Sequence, residues 1–158
     1  MLMMNVSPAL LRCILNTYPP YLFTGIHVEY IRKDWKGVRV SMKLRWYNRN
    51  AVNTHFGGSL YSMVDPHLML MLMRLLGEDY IVWDKSASIE FVRPGKTTVY
   101  ADMYITDAVL ENIRKRLCTE KRILPNFEVS IVDTAGEVVA RVVKTLYVRK
   151  KPALNTPP

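Results

Sequence analysis

One stretch of this chain constrains its fold more than any other. The polar, glycine-bearing residues 53–58 (NTHFGG) lead into residues 68–73, which read LMLMLM and must be buried in a folded domain. Between them stand Asp65, Pro66 and His67. A carboxylate beside buried apolar side chains is costly to ionise unless it is paired or takes part in chemistry. Asp65 is therefore the main functional clue in the sequence.

Residues 58–76 are predicted to form a central helix covered on most faces, because the segment is apolar nearly all round. Gly77 is suited to end this helix. Pro66 disturbs it, since proline removes a backbone donor and disfavours helical geometry at the residue before it. Either the helix kinks at Pro66, which we favour, or a second helix begins there with Asp65 as its cap. Both alternatives place Asp65 at a helix break.

Alternating apolar and polar residues predict six strands around this helix. The alternation is cleanest in residues 38–45, which are predicted to pair with residues 23–32 as an antiparallel hairpin. The other strands are predicted over residues 80–92, 97–106, 127–132 and 138–148, and residues 133–136 form a hairpin turn between the last two.

Two shorter helices complete the prediction. Ser7 and Pro8 are typical of a helix start, and this first helix should stop before Pro19. Asp107 is predicted to cap a helix over residues 108–117. The order of elements predicts an α+β domain over residues 1–149, in which one antiparallel sheet covers a buried helix. Residues 150–158 are expected to form a flexible tail, and two subunits are expected to pack together.

Composition narrows the choice of partner and compartment. The formal charge of +8, from 22 Lys plus Arg against 14 Asp plus Glu, favours an anionic partner. These charges are spread along the chain, which argues against a nucleic-acid interface. Cys13 and Cys118 have neither disulfide nor metal-site spacing, so we predict no metal and a cytoplasmic location. No signal peptide is expected, because residues 1–16 have neither a basic region nor a small-residue cleavage pattern. No membrane span is expected, because the longest apolar run is far below roughly 20 residues.

The chain resembles the hot-dog fold of acyl-CoA thioesterases in its element order, its Gly57-Gly58 pair and the acid seven residues later. It is most similar to a largely uncharacterised hot-dog family over residues 8–149. The shared motifs are Phe56-Gly57-Gly58-Ser59-Leu60, Asp65-Pro66, Leu76-Gly77, Trp83-Asp84-Lys85, Ile89-x-Phe91 and Arg93-Pro94-Gly95. The resemblance implies a sheet wrapped around a long central helix. Hot-dog proteins include thioesterases, dehydratases and non-catalytic members.

The resemblance also implies roles for particular residues. In hot-dog thioesterases of the phenylacetate type, Gly57 and Gly58 would match the glycines whose N–H groups hold the thioester carbonyl. Such groups at a helix start suit a developing oxyanion. Asp65 would match the acid that attacks the thioester or activates water. The chain departs from those enzymes at Phe56, where they place a histidine, and at Pro66.

Most candidate residues also have a structural interpretation. Asp65 could cap a helix at the break, and Gly57 and Gly58 could serve tight packing of helix on sheet. Asn53 could orient a catalytic water or simply form a turn. His55 is a candidate catalytic residue. Further candidates for substrate binding are Phe56, Ser59, Tyr61, His67, Arg114 and Lys115.

The basic pair Arg114 and Lys115 would suit the 3′-phosphate of coenzyme A, whereas His67 is more typical of a buried, hydrogen-bonded histidine. Two functions follow. The first is hydrolysis of an acyl thioester by a dimer or tetramer, with coenzyme A as part of the substrate and no separate cofactor. The second is non-catalytic binding of acyl-CoA or lipid by the same fold. Neither assigns a role to Trp83-Asp84-Lys85.

Overall fold

A computed structural model describes residues 6–152, so most of the predicted tail lies outside the described residues. The helices are α1 (Pro8–Thr17), α2 (Pro19–Thr24), α3 (Gly57–Ser62), α4 (His67–Leu76) and α5 (Asp107–Thr119). The strands are β1 (Ile26–Ile31), β2 (Gly37–Met42), β3 (Tyr80–Phe91), β4 (Val99–Tyr104), β5 (Asn126–Asp133) and β6 (Val138–Lys150). All six predicted strands are present.

The strands form one antiparallel sheet in the order β1-β2-β4-β5-β6-β3. Alternate residues of β6 are buried, which is the period expected of a strand with one face against a core. Helix α4 contributes to the same core through Leu68, Met71, Leu72 and Leu76. The prediction of a mixed α+β domain with an antiparallel sheet is confirmed.

The apolar segment forms two helices, α3 and α4, rather than one long kinked helix. Pro66 has no N–H, so the carbonyl of Ser62 has no helical donor four residues on. The Tyr21 hydroxyl donates to that carbonyl at 3.1 Å instead. Helix α4 ends at Gly77, whose φ of 88° suits glycine, as predicted. The favoured single kinked helix is therefore not what the structure shows, and the alternative of a second helix after the break is the one observed.

The prediction of Asp65 as a helix cap is also wrong. The N-cap of α4 is Pro66, and no side chain hydrogen-bonds to this helix start. At α5 the cap is Thr106 rather than Asp107, because the Thr106 hydroxyl accepts a hydrogen bond from the Val109 N–H at 3.3 Å. The cap at Ser7 is confirmed: its hydroxyl accepts from the Leu10 N–H at 3.2 Å.

The two edges of the sheet differ. The β1 edge is covered, since the Asn16 side chain both accepts from the Val28 N–H at 2.7 Å and donates to the Val28 carbonyl at 3.1 Å. The β3 edge is open: residues 83–88 are exposed on both faces, and no described residue hydrogen-bonds to their outer edge. No helix within residues 6–152 is long and apolar enough to span a membrane.

Candidate active site at the helix break

Lys144 of β6 is the charged partner that an ionised Asp65 requires beside the apolar segment. Its side chain is 0% exposed, and its Nζ lies 2.8 Å from Asp65 Oδ1 and 3.0 Å from Asp84 Oδ1. The same ammonium donates to the backbone carbonyl of Asp65. A buried ammonium is tolerated when it is paired and its protons are used. Lys144 therefore both neutralises a carboxylate and satisfies a carbonyl at the helix break.

Asp65 is held from a second side by Tyr61, whose hydroxyl donates to Asp65 Oδ1 at 2.6 Å. The Asp65 side chain remains 46% exposed, so a water or substrate can approach it. Its partial burial opposes ionisation, but the hydrogen bonds from Lys144 and Tyr61 outweigh this and hold the pKa of Asp65 below its usual value. Asp65 is an oriented, ionised carboxylate at neutral pH.

Asp84 is the second carboxylate on Lys144. It lies on β3 opposite Leu146, while Ala87 lies opposite Lys144, and a β-bulge between Asp84 and Ser86 accommodates the extra residue. Asp84 is 34% exposed. Burial raises the pKa of Asp84 above its usual value, and the charge of Lys144 only partly opposes this.

His67 is buried away from solvent, behind the break. Its Nε2 lies 2.9 Å from the Tyr21 hydroxyl. Because that hydroxyl donates its one proton to the Ser62 carbonyl, Nε2–H of His67 donates to the Tyr21 oxygen. Burial lowers the pKa of His67 to about 3, so the ring is neutral. His67 therefore ties α4 to α2 from a buried position, and its place among substrate-binding residues stays a prediction.

Gly57 and Gly58 begin α3, and within residues 6–152 their N–H groups have no hydrogen-bond acceptor. They line a groove of about 360 Å³ between α3 and β3, together with Tyr61, Ala87, Ser88, Ile89 and Phe91. A Cβ on Gly57 would approach the Phe91 ring to 2.7 Å, and one on Gly58 the Phe56 ring to 2.7 Å. A side chain at either glycine would therefore displace an aromatic ring, and the groove leads from the free amides to Tyr61, which contacts Asp65.

A second cavity of about 420 Å³ shares Gly57 and Phe91 with this groove and is also lined by His55, Leu60 and Arg93. His55 Nε2 donates to the Thr97 carbonyl at 2.8 Å, which leaves Nδ1 as the unprotonated nitrogen. Burial lowers the pKa of His55, so this ring is neutral as well. Its Nδ1 has no partner among the described residues.

The other candidate residues do not line the groove at Gly57 and Gly58. Asn53 occupies a turn with φ of 61°, and its N–H donates to the Asn50 carbonyl at 3.0 Å. Ser59 is buried in α3. Arg114 of α5 donates to the Leu75 carbonyl at 2.8 Å and so caps α4, and Lys115 is exposed on the same helix. The geometry thus favours a turn for Asn53 and a capping role for Arg114.

Lys144 and the role of Asp84 were missed by the sequence-based prediction. A signal for Lys144 exists, because Ala140, Val142, Leu146 and Val148 share its face of β6 and all are buried. A lone lysine in that alternation indicates a buried cation in need of a carboxylate. No group of three metal-ligating side chains occurs in the described part of the chain.

Several solved structures share this fold. A protein of unknown function from Pseudomonas aeruginosa, described as a probable thioesterase, is 17% identical with a TM-score of 0.77, over 90% of this chain and 95% of its own. A protein of unknown function from Chlorobaculum tepidum is 15% identical with a TM-score of 0.71, over 92% and 98%. A thioesterase from Haemophilus influenzae is 13% identical with a TM-score of 0.68, over 96% of each chain.

At these identities the similarity shows the fold alone, a hot-dog fold shared with proteins that are described as thioesterases, so the reaction has to be argued from the site. No curated protein matches the chain significantly. A family model described as a domain of unknown function (DUF4442) matches residues 7–148, which is nearly all of the chain described above. The chain therefore belongs to this family, the DUF4442 domain of unknown function.

Proposed function

We propose that this protein hydrolyses an acyl thioester. The observation that carries the proposal is an ionised Asp65 that is fixed by Lys144 and by Tyr61, and Tyr61 itself lines the groove that begins at the free N–H groups of Gly57 and Gly58. Preorganised donors and an oriented carboxylate are the two parts that acyl transfer to water requires. The thioesterases among the proteins of similar fold support the same reaction class.

In the proposed reaction the thioester carbonyl accepts hydrogen bonds from the Gly57 and Gly58 N–H groups. Asp65 removes a proton from a water that attacks the carbonyl carbon, or attacks that carbon itself to form an anhydride that water then cleaves. The carbon–sulfur bond breaks, and sulfur leaves with the electron pair as a thiolate. Charge that develops on the carbonyl oxygen is stabilised by the two amides.

We further propose that a second copy of the chain completes the site along the open edge of β3. Unpaired strand edges readily pair with another strand, and homodimers most often have two-fold symmetry. An antiparallel pairing centred on residues 83–88 would bring the region of Asp84 in one copy beside the region of Ser88 in the other. Since Ser88 lines the Gly57–Gly58 groove, the partner would cover that groove.

One observation favours a second candidate, an acyl-CoA or lipid-binding protein without catalysis. The Phe56 and Phe91 rings crowd Gly58 and Gly57, and Asp65 already has a cationic partner. In this alternative the groove and the His55 cavity hold an acyl group, and Asp65 serves only to pair Lys144.

The two candidates are separated by thiol release from a panel of acyl-CoA and acyl-carrier-protein thioesters, with equilibrium binding measured on the same panel. We expect at least one thioester to be hydrolysed well above the rate in buffer. Binding of an acyl thioester without thiol release from any member would contradict hydrolysis and support the binding protein. An absence of both would contradict both candidates.

A further inference from the structure

Asp84 has no part in the mechanism proposed above, although it is the centre of the Trp83-Asp84-Lys85 motif. Its Oδ1 lies 3.0 Å from Lys144 Nζ, and the same Nζ lies 2.8 Å from Asp65 Oδ1. One fully buried ammonium is therefore shared by two partly exposed carboxylates. This unit, Asp65–Lys144–Asp84, carries one net negative charge when both carboxylates are ionised.

The register between β3 and β6 places Asp84 next to Lys144. Leu146 and Lys144 both point into the core from β6, and Asp84 lies opposite Leu146 on the same face of the sheet. The bulge at Lys85 then shifts the register so that Ala87 faces Lys144. Bulges redirect side chains and increase local twist, and they are frequent beside active sites. An aspartate without a role at this site would need no β-bulge beside it.

Among residues 6–152, five titratable side chains interact with Asp65, each from a different element. They are Lys144 of β6, Asp84 of β3, Tyr61 of α3, His67 of α4 and Tyr21 of α2. Burial raises the pKa of both tyrosines and lowers that of His67, so these three are neutral near neutral pH. Within this set, Lys144 is the cation that contacts Asp65, and Asp84 is the second carboxylate on that cation.

We propose that Asp84 is a positioning residue for hydrolysis: it shares Lys144 with Asp65 and thereby keeps Asp65 basic enough to accept a proton. This inference rests on the proposed thioester hydrolysis. A lysine paired with Asp65 alone would hold that carboxylate firmly in its charged form and weaken it as a base. A nearby negative charge has the opposite effect, because like charges favour protonation of one partner. Such interacting sites titrate as a pair.

The first test is Asp84→Asn, with Glu90→Gln as a matched control on the exposed part of the same strand. We expect kcat to fall by up to about tenfold in Asp84→Asn with KM unchanged, because a weaker base transfers protons more slowly. Asp84→Glu should recover part of this loss. The acid limb of the pH–rate profile should move to lower pH, since the wild-type limb follows the raised pKa of Asp84 and the variant follows the lowered pKa of Asp65.

The second test needs no turnover: the Asp65 and Asp84 carboxyl carbons are titrated by NMR. We expect the pKa of Asp84 to fall in Asp65→Asn and both pKa values to rise in Lys144→Met, because one change removes a like charge and the other a cation. Should Lys144→Met not fold, Asp65→Asn and Asp84→Asn suffice. Absence of thiol release by the wild type would overturn the proposed hydrolysis.

Other results would contradict the positioning role of Asp84 without contradicting hydrolysis. A pKa of Asp84 that is unchanged in Asp65→Asn would show that the carboxylates do not interact. An acid limb of Asp84→Asn that coincides with those of the wild type and Glu90→Gln would overturn the positioning role even if hydrolysis were established. A fall in kcat without a shift in the limb would also overturn it, because a purely structural role of Asp84 predicts that result.

Discussion

At the scale of single residues, Lys144 decides how the chain tolerates a charged group in its most apolar segment. A fully buried ammonium requires compensation, and Asp65, Asp84 and the Asp65 carbonyl supply it. The carboxylates lie toward solvent and the ammonium toward the core. This arrangement leaves the reactive group accessible while its partner stays fixed.

His67 provides a residue-scale prediction for stability. Its pKa in the folded protein is about 3, against about 6.5 when unfolded, so only the unfolded chain gains this proton between those values. The free energy of unfolding should therefore fall as pH is lowered from 6.5 toward 3. In His67→Gln the slope should be reduced by up to about 1.4 kcal/mol per pH unit.

Urea denaturation of both proteins between pH 4 and pH 7 measures this difference. The variant should also be less stable than the wild type at pH 7, because the substitution removes the hydrogen bond between His67 and Tyr21. Parallel curves over the whole range would contradict a buried, neutral His67.

At the scale of elements, the break between α3 and α4 is supported from two sides. Tyr21 donates to the Ser62 carbonyl, and Lys144 donates to the Asp65 carbonyl. Within the described residues neither carbonyl accepts a backbone hydrogen bond, and an unsatisfied carbonyl is costly away from water. The break is thus a built feature that turns the Asp65 side chain toward β6 and β3.

The start of α3 yields a second prediction. Gly58→Ala should change the free energy of unfolding by less than about 1 kcal/mol, because alanine favours helix and the clashing Phe56 ring is free to turn. Thiol release should nevertheless fall at least about tenfold, since the new methyl group and the displaced ring obstruct the Gly58 N–H. Thermal unfolding and turnover of one preparation check both parts. Full turnover in Gly58→Ala would mean that this amide does not hold the carbonyl.

At the scale of the whole molecule, the contrast between the two sheet edges predicts the assembly. Asn16 blocks the β1 edge, whereas β3 is open, so we expect a dimer of about twice the 18.3 kDa chain mass. In such a dimer, Ser86→Lys would place a lysine at position 86 of each copy close to Lys85 and to position 86 of the other copy. Repulsion between these positive charges should weaken the dimer. Ser130→Lys on the exposed face of β5 is the control. Light scattering that finds wild-type monomers would contradict the proposed pairing.

Much of this architecture could be predicted from local patterns in the sequence. Period-two alternation located all six strands, and Ser7 and Gly77 marked helix ends because capping depends on adjacent residues. Asp65 was singled out by the same local reasoning. Its partners were not, since Lys144 is 79 positions away and Asp84 reaches the site through a bulge. Pro66 predicted the helix break itself, but the donors that satisfy the carbonyls at the break come from α2 and β6, which no local pattern contains.

The central claim, that Asp65 is the reacting carboxylate of a thioesterase, is tested most directly by Asp65→Asn against Asp79→Asn, the same change on an exposed turn. Each is assayed for thiol release from the best thioester of the panel, with folding checked by circular dichroism. We expect Asp65→Asn to lose at least about a hundredfold in kcat while remaining folded, and Asp79→Asn to keep wild-type turnover. Undiminished hydrolysis by folded Asp65→Asn would contradict it.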